Sequence, residues 1–154
     1  MTMDALISGL QNQNLRFPEE YYENVRRFTM TGQSKENRNR DNIPFERYVD
    51  FWWLALCIGV REGRRTKVDA KKWHTFVRAG EVLPSNPWRI FQLQMFALGE
   101  AGNTDILSNP GELIGMANEY AATGLPILLD EIVGSEVPIW VTTKYLEKCI
   151  GSDG

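Results

Sequence analysis

The sequence predicts an all-α fold, a compact single-domain helical bundle of five to seven helices around one central apolar helix. Three observations carry that expectation. Apolar residues recur at three- and four-residue steps in several separate segments. The stretch from Phe51 to Val60 is apolar nearly all round, as in a helix buried on most sides. Alternating segments are too few to build a sheet. A chain of 154 residues suits one domain of ordinary size. With 43% hydrophobic and 24% charged residues its composition is that of a globular protein.

Residues 1–17 are polar and rich in Gln and Asn, and are read as a flexible arm or as a short helix over Asp4 to Gln11. Pro18 suits a first helical turn, and Glu19 and Glu20 favour a helix N-terminus electrostatically. Tyr21, Tyr22, Val25 and Phe28 form one apolar stripe of a helix expected to run to about Thr31 and to end at Gly32. Residues 32–43 are the most polar segment and are read as a solvated connector, with a mobile basic loop touching phosphate as the alternative.

Pro44 is expected to open the central helix. Phe45, Tyr48, Val49, Trp52, Trp53, Leu56 and Val60 keep its period, and Gly63 caps it. Cys57 falls in this apolar pattern and is read as a buried reduced thiol. Residues 80–87 are read as a loop. Asn86 and Pro87 then read as N-cap and first residue of another helix, with Trp88, Phe91, Leu93, Met95, Phe96 and Leu98, ending near Gly99 or Gly102.

Asn109, Pro110 and Glu112 signal a further start, with Glu112 resembling the reciprocal half of a capping box. Leu113, Ile114, Ala117, Tyr120 and Ala121 continue that helix until Gly124, expected to break it before a short helix from Leu125 to Val133. Residues 139–150 mix strand-favouring Val141, Thr142 and Thr143 with helix-compatible Tyr145, Leu146 and Cys149. The domain is bounded at 18–150, with 151–154 as a tail.

Composition also excludes chemistry. No apolar run reaches the 18 or so residues of a membrane span, and Met1 to Leu10 lacks a secretory layout, so a cytoplasmic protein is expected. The single histidine, His74, lies between Trp73 and Phe76 and is read as structural. No set of His, Cys and carboxylate has zinc spacing, and neither a phosphate-binding loop nor a strand-associated GxGxxG occurs. Gly59, Gly63, Gly99 and Gly102 are read as scattered helix terminators. No cofactor is called for. A cryptic metal-dependent nuclease is kept as an alternative, with Glu46, Asp50 and Glu62 brought together by the fold. Asp50 is otherwise read as surface or as a partner of Arg47 or Arg64.

The positive lead is electrostatic. Residues 1–89 hold 15 Lys/Arg against 11 Asp/Glu, whereas residues 90–154 hold two against nine. Within residues 61–72 lie Arg61, Arg64, Arg65, Lys67, Lys71 and Lys72, directly before Trp73. Arginine forks grip phosphate, and an aromatic beside them can stack on a base. The same pattern suits an acidic patch on a protein, or plain solvation, so these seven residues are candidates for binding nucleic acid or a partner.

The stretch Tyr48–Arg65, YVDFWWLALCIGVREGRR, resembles the small DNA phosphorothioation-associated (dnd system-associated) protein 4 family. Trp73, Phe76, Phe96-Ala97-Leu98, Asp105-Ile106-Leu107, Glu119-Tyr120-Ala121 and Gly124-Leu125 extend the resemblance over roughly residues 44–133. It implies a role beside bacterial systems that modify DNA with sulfur or restrict DNA lacking it, systems that carry large ATPase and nuclease components. No catalytic residue transfers with it. The expectation is therefore a non-catalytic accessory subunit of a phosphorothioation-type anti-phage defence system, bound to such a component. A stand-alone DNA-binding module is the alternative, no membrane partner is expected, and self-association stays open.

Overall fold

The computed structural model describes residues 9–32 and 43–133, together with Thr143 and Glu147. The expected connector at 32–43 therefore lies largely outside the described residues, as do Cys149, the tail at 151–154 and nearly all of 139–150.

Helix dominates, as the sequence predicts, but the fold is not all-α. Asn14–Pro18 form strand β1 and Trp73–Arg78 form strand β2, paired antiparallel, with a bulge between Leu15 and Arg16 shifting the register. Residues 14–17 are thus part of the packed domain and not of an arm, while residues 1–8, with most of the helix expected over Asp4 to Gln11, lie outside the described residues. Leu15 and Phe17 are buried on β1, and Phe17 stacks on Phe76 at 5.4 Å between ring centroids. Two short strands far apart in sequence leave almost no local signal. Only their mutual pairing and their burial stabilise them.

Pro18 ends β1 rather than starting a helix. A single 3-10 turn over Glu19–Tyr21 leads into α1 (Tyr22–Arg27), which stops before Thr31 because Thr29 pairs as an isolated bridge with Phe45. That bridge also keeps Pro44 and Phe45 out of the next helix. Helix α2 spans Tyr48–Glu62, and the side chain of Asp50 accepts from the backbone N–H of Arg47 at 3.2 Å, closing its first turn. Gly63 caps it with φ of 72°, a left-handed conformation that glycine adopts without a Cβ penalty.

Helix α3 (Ala79–Val82) is one turn within the expected loop. Helix α4 spans Pro87–Ala101, starts at Asn86 and Pro87 as expected, and ends at Gly102 with φ of 73°. Helix α5 spans Pro110–Val133. At its start Asn109 Oδ1 accepts from the Glu112 N–H at 3.2 Å, while Glu112 Oε2 accepts from the Asn109 side-chain amide at 3.1 Å. The reciprocal pair is present, with the return bond made to the side chain.

Gly124 does not break α5, and Gly59 is no terminator. Helices α2 and α5 cross antiparallel and very close at these two residues. A methyl group placed on Gly124 would lie 1.8 Å from the Ala55 carbonyl oxygen, and one on Gly59 1.8 Å from that of Tyr120. Burial of Leu125, Leu128, Leu129 and Ile132 carries the helix on past Pro126, whose ring removes one backbone bond. Gly99 lies inside α4 and ends nothing.

The β-ribbon packs on the α2–α5 pair, and α5 seals the outer edge of β1. The Asn118 side chain, nearly fully buried, donates to Asn14 O at 3.0 Å and accepts from Arg16 N at 2.9 Å. Trp52 Nε1 donates to Arg16 O at 3.1 Å. An edge that would otherwise be buried unpaired is thus satisfied by two side chains. Among the described residues, no helix is long and apolar enough to cross a membrane.

Candidate functional site

The basic segment begins in the last turn of α2, where Arg61 is exposed, and continues beyond the Gly63 cap as an irregular strap. Helix α5 fixes that strap. The Thr66 N–H donates to Glu119 O at 3.1 Å, the Thr66 and Thr123 hydroxyls bond at 2.7 Å, and the Arg65 guanidinium pairs with the Glu119 carboxylate. Downstream, Asp69 accepts from the Lys71 N–H at 3.2 Å and shapes the 3-10 turn over Ala70–Lys72 that leads into β2.

The fold disperses the seven candidate residues. Arg61, Arg64 and Lys71 are exposed. Arg65 is held by Glu119. Lys67 and Lys72 line an open cleft of about 540 Å³ whose walls also carry Glu19, Glu20 and Asp69. Trp73 is half-buried on β2 and lines a separate cavity of about 180 Å³ with Asn118 and Glu119. The strap therefore offers cations along one exposed length, without an aromatic platform next to a continuous positive stripe.

His74 packs as a structural ring, with centroids 4.3 Å from Tyr22 and 5.2 Å from Phe17. Asp50 pairs with Arg89 at 2.8 Å and with Arg47 at 3.7 Å, and not with Arg64. Arg89 also lies over the Trp53 ring at 5.3 Å. Among the described residues, no group of three or more His, Cys, Asp and Glu is gathered to hold a metal.

The surface that sequence reasoning missed lies on α4. Trp88 is 75% exposed, Met95 69% and Phe91 49%. They follow one another at three and four residues, so they form one stripe. Ile90, Leu93 and Ala97 make the buried face of the same helix. Helix α4 thus carries apolar residues on two faces, and its sequence signals only their sum. Single exposed apolar residues are ordinary, whereas these three are contiguous along one side of the helix.

Beside this stripe runs an apolar groove of about 300 Å³ between α2 and α4, walled by Trp53, Leu56, Cys57, Val60, Leu93 and Phe96. Cys57 is exposed there, which corrects the reading of a buried thiol. Desolvation by its apolar surroundings raises the thiol pKa, with Arg89 acting in the opposite direction. Cys57 is thus held protonated, and so weakly nucleophilic, around neutral pH.

The family model described as DNA sulphur modification system-associated protein 4 matches residues 15–147. No curated protein and no solved structure matches the chain.

Proposed function

Because the chain belongs to the DNA sulphur modification system-associated protein 4 family, we propose that it is a non-catalytic accessory subunit that docks onto a larger ATPase or nuclease component of a DNA sulphur modification system acting in anti-phage defence. The observation that carries this reading is the stripe of Trp88, Phe91 and Met95, left exposed on a helix whose other face buries Ile90, Leu93 and Ala97. Tryptophan is among the residues that dominate binding energy when buried at an interface, and exposing it to water is costly for a protein that has no use for it.

Co-expression with the products of neighbouring genes tests the reading. A stable complex with a large component of the same system is the expected result. A chain that purifies alone against every neighbour overturns it.

A second reading, direct binding of DNA, is favoured by the exposed cations of the strap. Its test is retention by duplex DNA. Binding through Arg61, Arg64 and Lys71 is expected to fall about tenfold or more between 50 and 200 mM salt, because each neutralised phosphate releases counterions. Alanine at all three positions abolishes binding if this reading holds. Glu19, Glu20 and Asp69, in the same cleft as Lys67 and Lys72, count against a strong effect.

A further inference from the structure

We propose that the free edge of β2 takes up an extended segment of a protein partner, which joins the ribbon as a third strand and lays alternate apolar side chains against Tyr22 and Tyr48. The inference rests on the accessory-subunit reading and gives that partner a second contact of defined chemistry.

The strand register fixes where the backbone of β2 points. Asn14 O and Arg16 N turn away from β2, since both bond to the Asn118 side chain. Asn14 pairs with Arg78, and Arg16 with Thr75. Residues opposite each other in an antiparallel pair aim their N–H and C=O groups either towards each other or both away. The N–H of Arg78 and both backbone groups of Thr75 therefore point off the other edge. Ala79, next to Arg78, points the opposite way, and its N–H donates to Gln13 O at 2.8 Å.

The two edges of the ribbon differ. Asn118 and Trp52 close that of β1. Among the described residues the sheet has no third strand, and no hydrogen bond reaches the outward groups of Thr75 or the N–H of Arg78. Both residues are exposed. An edge of this kind is a template for strand addition.

The edge selects its occupant. Its donors and acceptors come at strand spacing, and an extended backbone meets them in order. A helix has already used its own N–H and C=O groups internally. Phosphates supply acceptors but no donor for the Thr75 carbonyl. Every second side chain of an added strand falls on the face of Phe17 and His74. There Tyr22 packs on His74 at 4.3 Å and Tyr48 stands edge-on to Phe76 at 6.3 Å, both only half-buried, so apolar side chains fit. A second copy fits poorly. Two β2 strands paired antiparallel about Thr75 bring Lys72 of each copy to Arg78 of the other, and like charges facing across strands are destabilising. The first turn of α2 links this edge to the stripe on α4, since Tyr48 meets Phe76 while Asp50 holds Arg89, the neighbour of Trp88.

The experiment uses the full chain with the ATPase or nuclease component of its own system. Arg78 has φ of −79°, which proline adopts without strain, and its N–H serves no bond of the ribbon. Arg78→Pro is expected to weaken the complex about fivefold or more, whereas Arg78→Ala, which keeps the N–H, is expected to change it less than about twofold. Thr75→Pro, at the centre of the edge, is expected to cost about thirtyfold, and should it unfold the chain the Arg78 pair decides. Hydrogen exchange of the Thr75 and Arg78 amides is expected to be fast in the free chain and to slow about tenfold or more in the complex.

A complex with equal affinity for Arg78→Pro and Arg78→Ala, in which the two amides still exchange fast, overturns the strand-addition assignment while sparing the accessory reading. Protection of both amides in the free chain at high dilution overturns it too, because the chain then covers its own edge. So does protection that rises with the concentration of the chain alone, since the added strand is then a second copy. Absence of any complex overturns both readings.

Discussion

Gly124→Ala is expected to destabilise the protein by about 3 kcal/mol, at the upper end of overpacking costs. The added methyl would sit 1.8 Å from the Ala55 carbonyl oxygen and 2.8 Å from the Gly59 nitrogen. Those neighbours are backbone atoms in the middle of α2. They cannot rotate aside as a side chain does, so the two longest-buried helices must separate along their contact. The intrinsic helix gain of alanine over glycine, about 1 kcal/mol, offsets only part of this. Gly59→Ala repeats the clash from the opposite helix against Tyr120. Gly99→Ala is the control, because it lies mid-helix with nothing within 4 Å of the new methyl. It is expected to stabilise by about 0.5–1 kcal/mol. Urea unfolding of the three variants checks the set, and equal effects for Gly124→Ala and Gly99→Ala would refute the close crossing.

Asn118→Leu is expected to cost about 2–4 kcal/mol, because two backbone groups of β1 then lose their partner in a buried setting. The side-chain amide supplies one donor to Asn14 O and one acceptor to Arg16 N. Leucine of similar volume supplies neither. Asn118→Asp separates the two bonds. Its carboxylate still accepts from Arg16 N–H, but faces the Asn14 carbonyl with negative charge and no proton. The folded state therefore favours the protonated acid, which restores the missing donor, and the folded pKa rises above the unfolded one. The native state binds more protons than the unfolded state, so stability falls as pH rises from the unfolded pKa towards the folded one. Relative to wild type, Asn118→Asp is expected to be close to native at pH 4 and clearly destabilised at pH 7.5. A difference that does not change with pH would exclude this geometry.

The helices were the most legible part of the sequence. The Phe51–Val60 run, the Asn86-Pro87 start and the Asn109-Pro110-x-Glu112 start are local signals, and local backbone preferences placed α2, α4 and α5. The β-ribbon was not legible, because WHTFVR and NLRFP become strands only when they meet each other across some 60 residues. Glycines misled in one direction. Gly63 and Gly102 do end helices, but Gly59 and Gly124 serve a helix crossing that only the partner helix reveals. In the candidate site, the exposure of Arg61, Arg64 and Lys71 followed from composition. The capture of Arg65 by Glu119 and the arrival of Glu19 and Glu20 in the cleft of Lys67 and Lys72 did not, because those groups come from distant segments.

By itself the sequence determined a mainly helical chain with an apolar central helix, a basic strap directly after it, and a resemblance to a family associated with DNA sulphur modification. Those properties depend on residue type and near-neighbour spacing, which the linear order contains. Only the tertiary structure decided which apolar residues remain outside. Trp88, Phe91 and Met95 look like core residues in the sequence, yet the residues that α4 buries are Ile90, Leu93 and Ala97. Helical periodicity shows that a face is apolar. Whether that face meets another element or water depends on how many apolar faces the rest of the chain supplies to cover it.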